Sequence, residues 1–171
     1  METKKILPSF VAGFAAAVIS TVPGVKNVGC CLIVPFAVFL SLFLDEKINL
    51  ANPPISIKKA LAFGVLTGLF AAVFSSFFDL LFTFLTKTND YVEALPQTEA
   101  LIRTYKLGSL FDQTISMLEL MVKQIKATGF SLLYAFMIFF SNIIIDSIFG
   151  LVGGLLSMSY FNKRNTLNDK K

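Results

Sequence analysis

Four apolar stretches, each long enough or nearly long enough to cross a bilayer as a helix, occupy most of this 171-residue chain. They run from Ile6 to Val22, Val28 to Leu44, Ala60 to Leu85 and Phe130 to Phe161. A helix needs about 20 mostly apolar residues to span a hydrocarbon core of about 30 Å. The third and fourth stretches clear that length, and the first two lie near its lower bound. The core of a water-soluble domain accounts for one such run, but not for four separated by charged connectors. The expected fold is an all-α membrane protein, with four transmembrane helices and a helical extracytoplasmic segment at 88–128 between helices three and four. A single integral membrane domain over residues 1–171 follows, with a disordered tail at 165–171.

Charge patterning agrees. Charged residues are 15% of the chain, against about 25% in an ordinary soluble domain, and they cluster between the apolar runs. The net charge of +4 comes from Lys and Arg beside those runs, where orientation signals and anionic headgroups account for it. No Arg-rich tract or aromatic-interleaved basic patch supports a nucleic-acid partner; the expected partner is the lipid bilayer. With four spans both termini share a side, and that side holds nine Lys and Arg against six on the other. The positive-inside bias puts both termini in the cytoplasm. Lys4 and Lys5 before an apolar run also resemble a signal peptide. A second apolar segment follows almost at once across Pro23-Gly24, so a retained helical hairpin is preferred.

Local signals place the helices. Pro8 suits a first turn, Pro35 predicts a kink inside the second span, and Ser56 suits a cap for the third helix. Asp90 to Tyr105, punctuated by Pro96, reads as one short helix or two fragments, closed by a break at Gly108-Ser109. Phe111, Ile115, Leu118, Val122 and Ile125 recur at spacings of three and four, one apolar stripe on an amphipathic helix. That helix has three open placements: on the membrane surface, against the preceding segment, or straight into the fourth span. The last is preferred, with Gly129 as a bend.

Inside the spans the clearest signal is helix contact. Ala60, Gly64, Gly68, Ala72 and Ser76 recur every four residues, and Gly150 and Gly154 share that spacing in the fourth span. Such a face lets helix backbones approach closely where lipid supplies no hydrophobic drive. Ser9, Gly13, Ala17 and Thr21 repeat it in the first span. The partner helix is expected within the chain, with a second copy as the alternative.

Asp146 is the acid deepest in a span. A carboxylate near a helix centre costs roughly 2.5–3.5 kcal/mol on insertion scales, so it must face protein or water. Asn142, Asp146, Gly150 and Gly154 lie on one i, i+4 face. Asp146 with Asn142 is thus a candidate intramembrane polar site for an ion or proton; the structural alternative has both cementing the helices. Asp79, about 30 Å along its helix from Lys59, falls near the outer interface. The adjacent Cys30 and Cys31, poorly spaced for a disulfide and without a second pair for a metal site, are expected to pack as small apolar residues near an interface, with S-acylation or redox chemistry as the alternative. The chain has no histidine and no phosphate-binding glycine loop. No catalytic, cofactor or metal residue is therefore assigned, and an enzyme is not expected.

The stretch Ile55-Ser56-Ile57-Lys58-Lys59-Ala60-Leu61-Ala62-Phe63-Gly64 leads into a long apolar helix. A charged helical insertion follows, and the last span ends in Gly-Leu-Val-Gly-Gly-Leu-Leu with a basic tail. In this layout the chain resembles the bacterial membrane proteins of domain-of-unknown-function family 4199. The resemblance implies four spans and a bacterial inner-membrane location, and carries over no functional residue. Asn49 to Pro54 departs from the glycine-containing loop common there. Three functions stay open. One is a structural or accessory subunit that binds itself, as a homo-oligomer, or a larger membrane complex. The others are a small transporter or channel around Asp146 and Asn142, and a holin-like envelope protein.

Overall fold

The computed structural model describes residues 3–22, 26–49, 54–105 and 109–168. Six helices make up the described residues, with no strand among them: α1 Thr3–Ser20, α2 Lys26–Asn49, α3 Ile57–Thr86, α4 Asp90–Tyr105, α5 Ser109–Thr128 and α6 Leu132–Asn168. The turn expected at Pro23-Gly24 and the break at Gly108 lie outside the described residues, as do residues 169–171 of the tail.

Two helices, not four, are long and apolar enough to cross a membrane among the described residues: Ile57–Thr86 and Leu132–Arg164. The apolar part of α1 among the described residues, Ile6–Ser20, is short. In α2 the side chains before Cys31 lie outside the described residues, and the helix continues past Leu44 through Asp45, Glu46 and Lys47 to Asn49. Other boundaries also move. Because α1 starts at Thr3, Pro8 sits in its second turn. The helix α2 runs unbroken through Pro35, α4 is one helix through Pro96, and α6 continues to Asn168, four residues into the expected tail.

The chain forms two compact units, residues 1–78 with 139–171, and residues 79–138. In the first, Ala12, Ala16, Val34, Ala37 and Ala71 make a buried cluster in which small side chains let α1, α2 and α3 come close. Gly13 is part of that approach, since a Cβ there would lie 2.9 Å from the Ala71 nitrogen. Phe10 and Phe14 meet Phe74 edge-on at 5.3 and 5.1 Å, a favoured aromatic geometry. A second cluster holds Val38, Leu42, Phe63 and Phe161. Ser56 caps α3, its hydroxyl accepting from the Lys59 N–H at 3.3 Å.

In the second unit, Asn89 caps α4 by accepting from the Val92 N–H at 3.0 Å. The stripe on α5 buries Ile115, Val122 and Ile125; the side chain of Phe111 lies outside the described residues. Met121, Val122 and Ile125 join Tyr134 and Ile138 in one cluster, with Tyr91, Val92 and Leu95 of α4 packed against it. The helix α5 therefore packs on the preceding segment and does not run straight into α6. Gly129 ends it at φ 78°, its N–H donating to the Ile125 carbonyl at 2.7 Å. That left-handed residue after a helix is a glycine C-cap, and it turns the chain out of the helical path.

Candidate functional site

The residues singled out on α3 and α6 meet along one antiparallel seam between these two helices in the first unit. Ala60 faces Gly154, Gly64 faces Gly150, and Gly68 faces Asp146, backbone against backbone. A Cβ added at any of the three glycines Gly64, Gly150 and Gly154 would collide with a main-chain carbonyl of the opposite helix. Ala72 and Ser76 are buried on the same face. The small-residue stripe is thus occupied within the chain.

The polar residues lie on this seam. Asn142 donates from Nδ2 to the Ser76 hydroxyl at 3.0 Å. Asp146 is 6% exposed, and its own main-chain carbonyl fills the space beside Gly68. An acid buried against the backbone of another helix is shielded from lipid, as the cost of its insertion requires. Asp79 belongs to the other unit. Cys31 is exposed, and the side chain of Cys30 lies outside the described residues. Among the described residues no group of three or more His, Cys, Asp or Glu is placed to hold a metal ion.

Three further polar features escape a reading of the sequence. Ser9 of α1 and Ser41 of α2 share a hydrogen bond of 3.0 Å, both fully buried. Ser9 belongs to a visible stripe, but nothing around Ser41 marks it out. Thr67, next to Gly68, is fully buried and its hydroxyl has no partner. The third is a polar girdle at one end of the first unit. Lys59 pairs with Asp45 at 2.5 Å, and Arg164 with Glu46 at 2.5 Å. Asn162 clamps the strap before α3, accepting from the Ile55 N–H at 2.7 Å and donating to its carbonyl at 3.0 Å. Basic residues here read in sequence as orientation signals; they also tie α2, α3 and α6 together.

What the seam can do chemically is limited. It presents one acid, one amide and hydroxyls in a close backbone contact. A family model described as "Protein of unknown function (DUF4199)" matches residues 4–159, which takes in the seam and every helix except the last part of α6. No curated protein and no solved structure matches the chain. With more than half its length covered, the chain belongs to the DUF4199 family.

Proposed function

We propose that the chain is a non-enzymatic, four-span protein of the bacterial inner membrane, with both termini in the cytoplasm and a structural or accessory role within the membrane. Membrane placement is supported by what the apolar helices expose. Phe36, Phe77, Phe136 and Phe140 are each more than half exposed, and only 17% of the most apolar window of α6 is buried. A soluble core helix would be mostly buried; lipid is the medium that makes such a surface inexpensive. The short α1 and the charged end of α2 fit spans that rely on local thinning or on flanking charges at the interface. The partners of this reading are lipid and a second copy or a larger membrane complex, not nucleic acid.

One observation carries the structural role: Asn142 bonds Ser76 on the small face of α3, and Asp146 is buried with its backbone against Gly68 of the same face. The reading takes their work to be joining α3 to α6. Transport is the rival, and the buried, unpartnered Thr67 hydroxyl beside Gly68 is the feature that favours it.

Reconstitution of wild type and Asp146→Asn in liposomes separates the two. The expected result is proton and cation flux no greater than in empty vesicles, with a lowered unfolding temperature for Asp146→Asn. Flux in the wild type that Asp146→Asn abolishes while the fold stays intact would overturn the structural role. Tags on both termini, reached by reagent only after the inner membrane is opened, test the orientation.

A further inference from the structure

Between α2 and α6 of the first unit lies an open apolar groove of about 300 Å³. Its outer walls are Leu32 and Phe36 on α2 and Leu156 and Tyr160 on α6, 66%, 71%, 64% and 56% exposed. The two backbones come close at one point, where a Cβ on Gly153 would lie 2.5 Å from the Cα of Pro35. Ser157 also lines the groove, but its hydroxyl donates to the Gly153 carbonyl at 2.6 Å. That bond leaves hydrocarbon as the surface on offer.

One end of the groove is polar. On α2, Phe39, Phe43 and Lys47 continue the wall at steps of four, and the Lys47 ammonium lies 5.7 Å from the centre of the Phe43 ring. On α6, Lys163 and Arg164 follow Tyr160 by three and four residues. Lys47, Lys59, Lys163 and Arg164 outnumber Asp45 and Glu46 at this end, so its charge is net positive. An amphipathic tyrosine followed by lysines is the order expected where hydrocarbon gives way to headgroups.

We infer that this groove seats one acyl chain of an anionic phospholipid whose phosphate lies against Lys47 and Lys163. The inference rests on the membrane reading above. Two arguments favour a lipid over a second copy of the chain. Helices associate in lipid through small residues that let backbones approach, whereas Leu32, Phe36, Leu156 and Tyr160 are large. The cations at one end also complement a phosphate, and a second copy would bring the same positive charge. A lipid tail moving from the bilayer into the groove gains little from hydrophobicity, because its surroundings were already apolar. Selection must therefore act on the headgroup, through charge.

The test uses the full chain, purified in mild detergent and exchanged with mixtures of phosphatidylglycerol and phosphatidylcholine, with retained lipid counted by native mass spectrometry. The wild type is expected to prefer phosphatidylglycerol by about tenfold, as two lysines near an anionic headgroup allow. A Lys47→Gln, Lys163→Gln double variant brings that ratio close to one. Leu32→Trp, which fills the groove from an exposed position, lowers retention of both lipids. Equal retention of the two lipids by the wild type, or retention unchanged by Leu32→Trp, overturns the inference. So does a disulfide-linked dimer formed by Phe36→Cys in a background lacking Cys30 and Cys31, since the groove would then be covered by another copy. A chain that stays soluble and monodisperse without detergent overturns the membrane reading as well, whereas one that needs detergent and shows no lipid preference overturns the groove alone.

Discussion

Gly64 and Gly150 each occupy the space that a side chain on the other would need: a Cβ on either would collide with the other's carbonyl. Close backbone contact of this kind lets Cα–H groups approach carbonyl oxygens and maximises dispersion where the hydrophobic effect contributes nothing between helices. The contact is rigid on both sides, because backbone rather than a side-chain tip is what a substituent would meet.

Gly64→Leu should therefore force α3 from α6. Overpacking typically costs about 1–3 kcal/mol, more than the roughly 1 kcal/mol that leaving glycine gains in a helix. Ala62→Leu, two residues away on an exposed position, is the control and should lie within about 0.5 kcal/mol of wild type. Unfolding in mixed micelles, titrated with denaturing detergent, measures both. Equal midpoints for the two variants would show that the seam is not tight.

Asn142 and Ser76 should be coupled. Hydrogen bonds between membrane helices average about 0.6 kcal/mol in double-mutant cycles and reach about 1.7. The cycle of Asn142→Ala with Ser76→Ala should give a coupling in that range. A value near zero would mean that the amide works elsewhere.

How much of this was legible in the sequence depends on whether a feature is local or long-range. Spacing of three and four made the α5 stripe readable, and Ser56 announced the start of α3, because both depend on neighbours along one helix. The stripe from Ala60 to Ser76 was equally plain as a face. Its pairing in antiparallel register with Asp146, Gly150 and Gly154 was not, since register is set by packing. Ser41 and Thr67 look like ordinary small residues until the fold buries them. At the end of the second stretch the apolar run stops at Leu44, while the helix carries on through the charged Asp45, Glu46 and Lys47 to Asn49.

The ion pair of Lys59 with Asp45 is asymmetric, and its mutants should be too. The Asp45 side chain is 4% exposed and that of Lys59 is 38% exposed. Removing the lysine takes the ion-pair partner from a buried charge, whereas removing the acid leaves a cation that can still reach water. Lys59→Met should cost about 2 kcal/mol or more, and Asp45→Asn about 1 kcal/mol. Thermal unfolding in detergent gives the order, and a larger loss for Asp45→Asn would refute the argument.

Gly129 is constrained twice. Its φ of 78° disfavours any L side chain, and a Cβ would lie 2.5 Å from the Phe84 carbonyl oxygen within the same unit. Left-handed backbone alone costs a non-glycine residue roughly 1–2 kcal/mol, and the contact adds to it. Asparagine tolerates the dihedral but carries the same Cβ, so Gly129→Asn should rescue little of what Gly129→Ala loses. Hydrogen exchange should show the loss concentrated in α5 and the last turns of α3, where these contacts lie. Recovery to wild-type protection with asparagine would leave the dihedral as the whole cause.

Thr67 and Ser41 make a pair of opposite predictions from the same degree of burial. The Thr67 hydroxyl is fully buried without a partner, so the folded state already bears the cost of removing it from solvent. Thr67→Val keeps the shape and removes that cost, and should be neutral or stabilising by up to about 1 kcal/mol. Ser41→Ala does the reverse. It removes one member of a satisfied pair and leaves the Ser9 hydroxyl buried alone, a loss of about 1–2 kcal/mol. Removing both hydroxyls together should restore much of the stability, because no orphan is left. If Thr67→Val instead destabilises by more than Ser41→Ala, the threonine hydroxyl has a partner in the membrane, and the transport reading of this seam gains the ligand it needs.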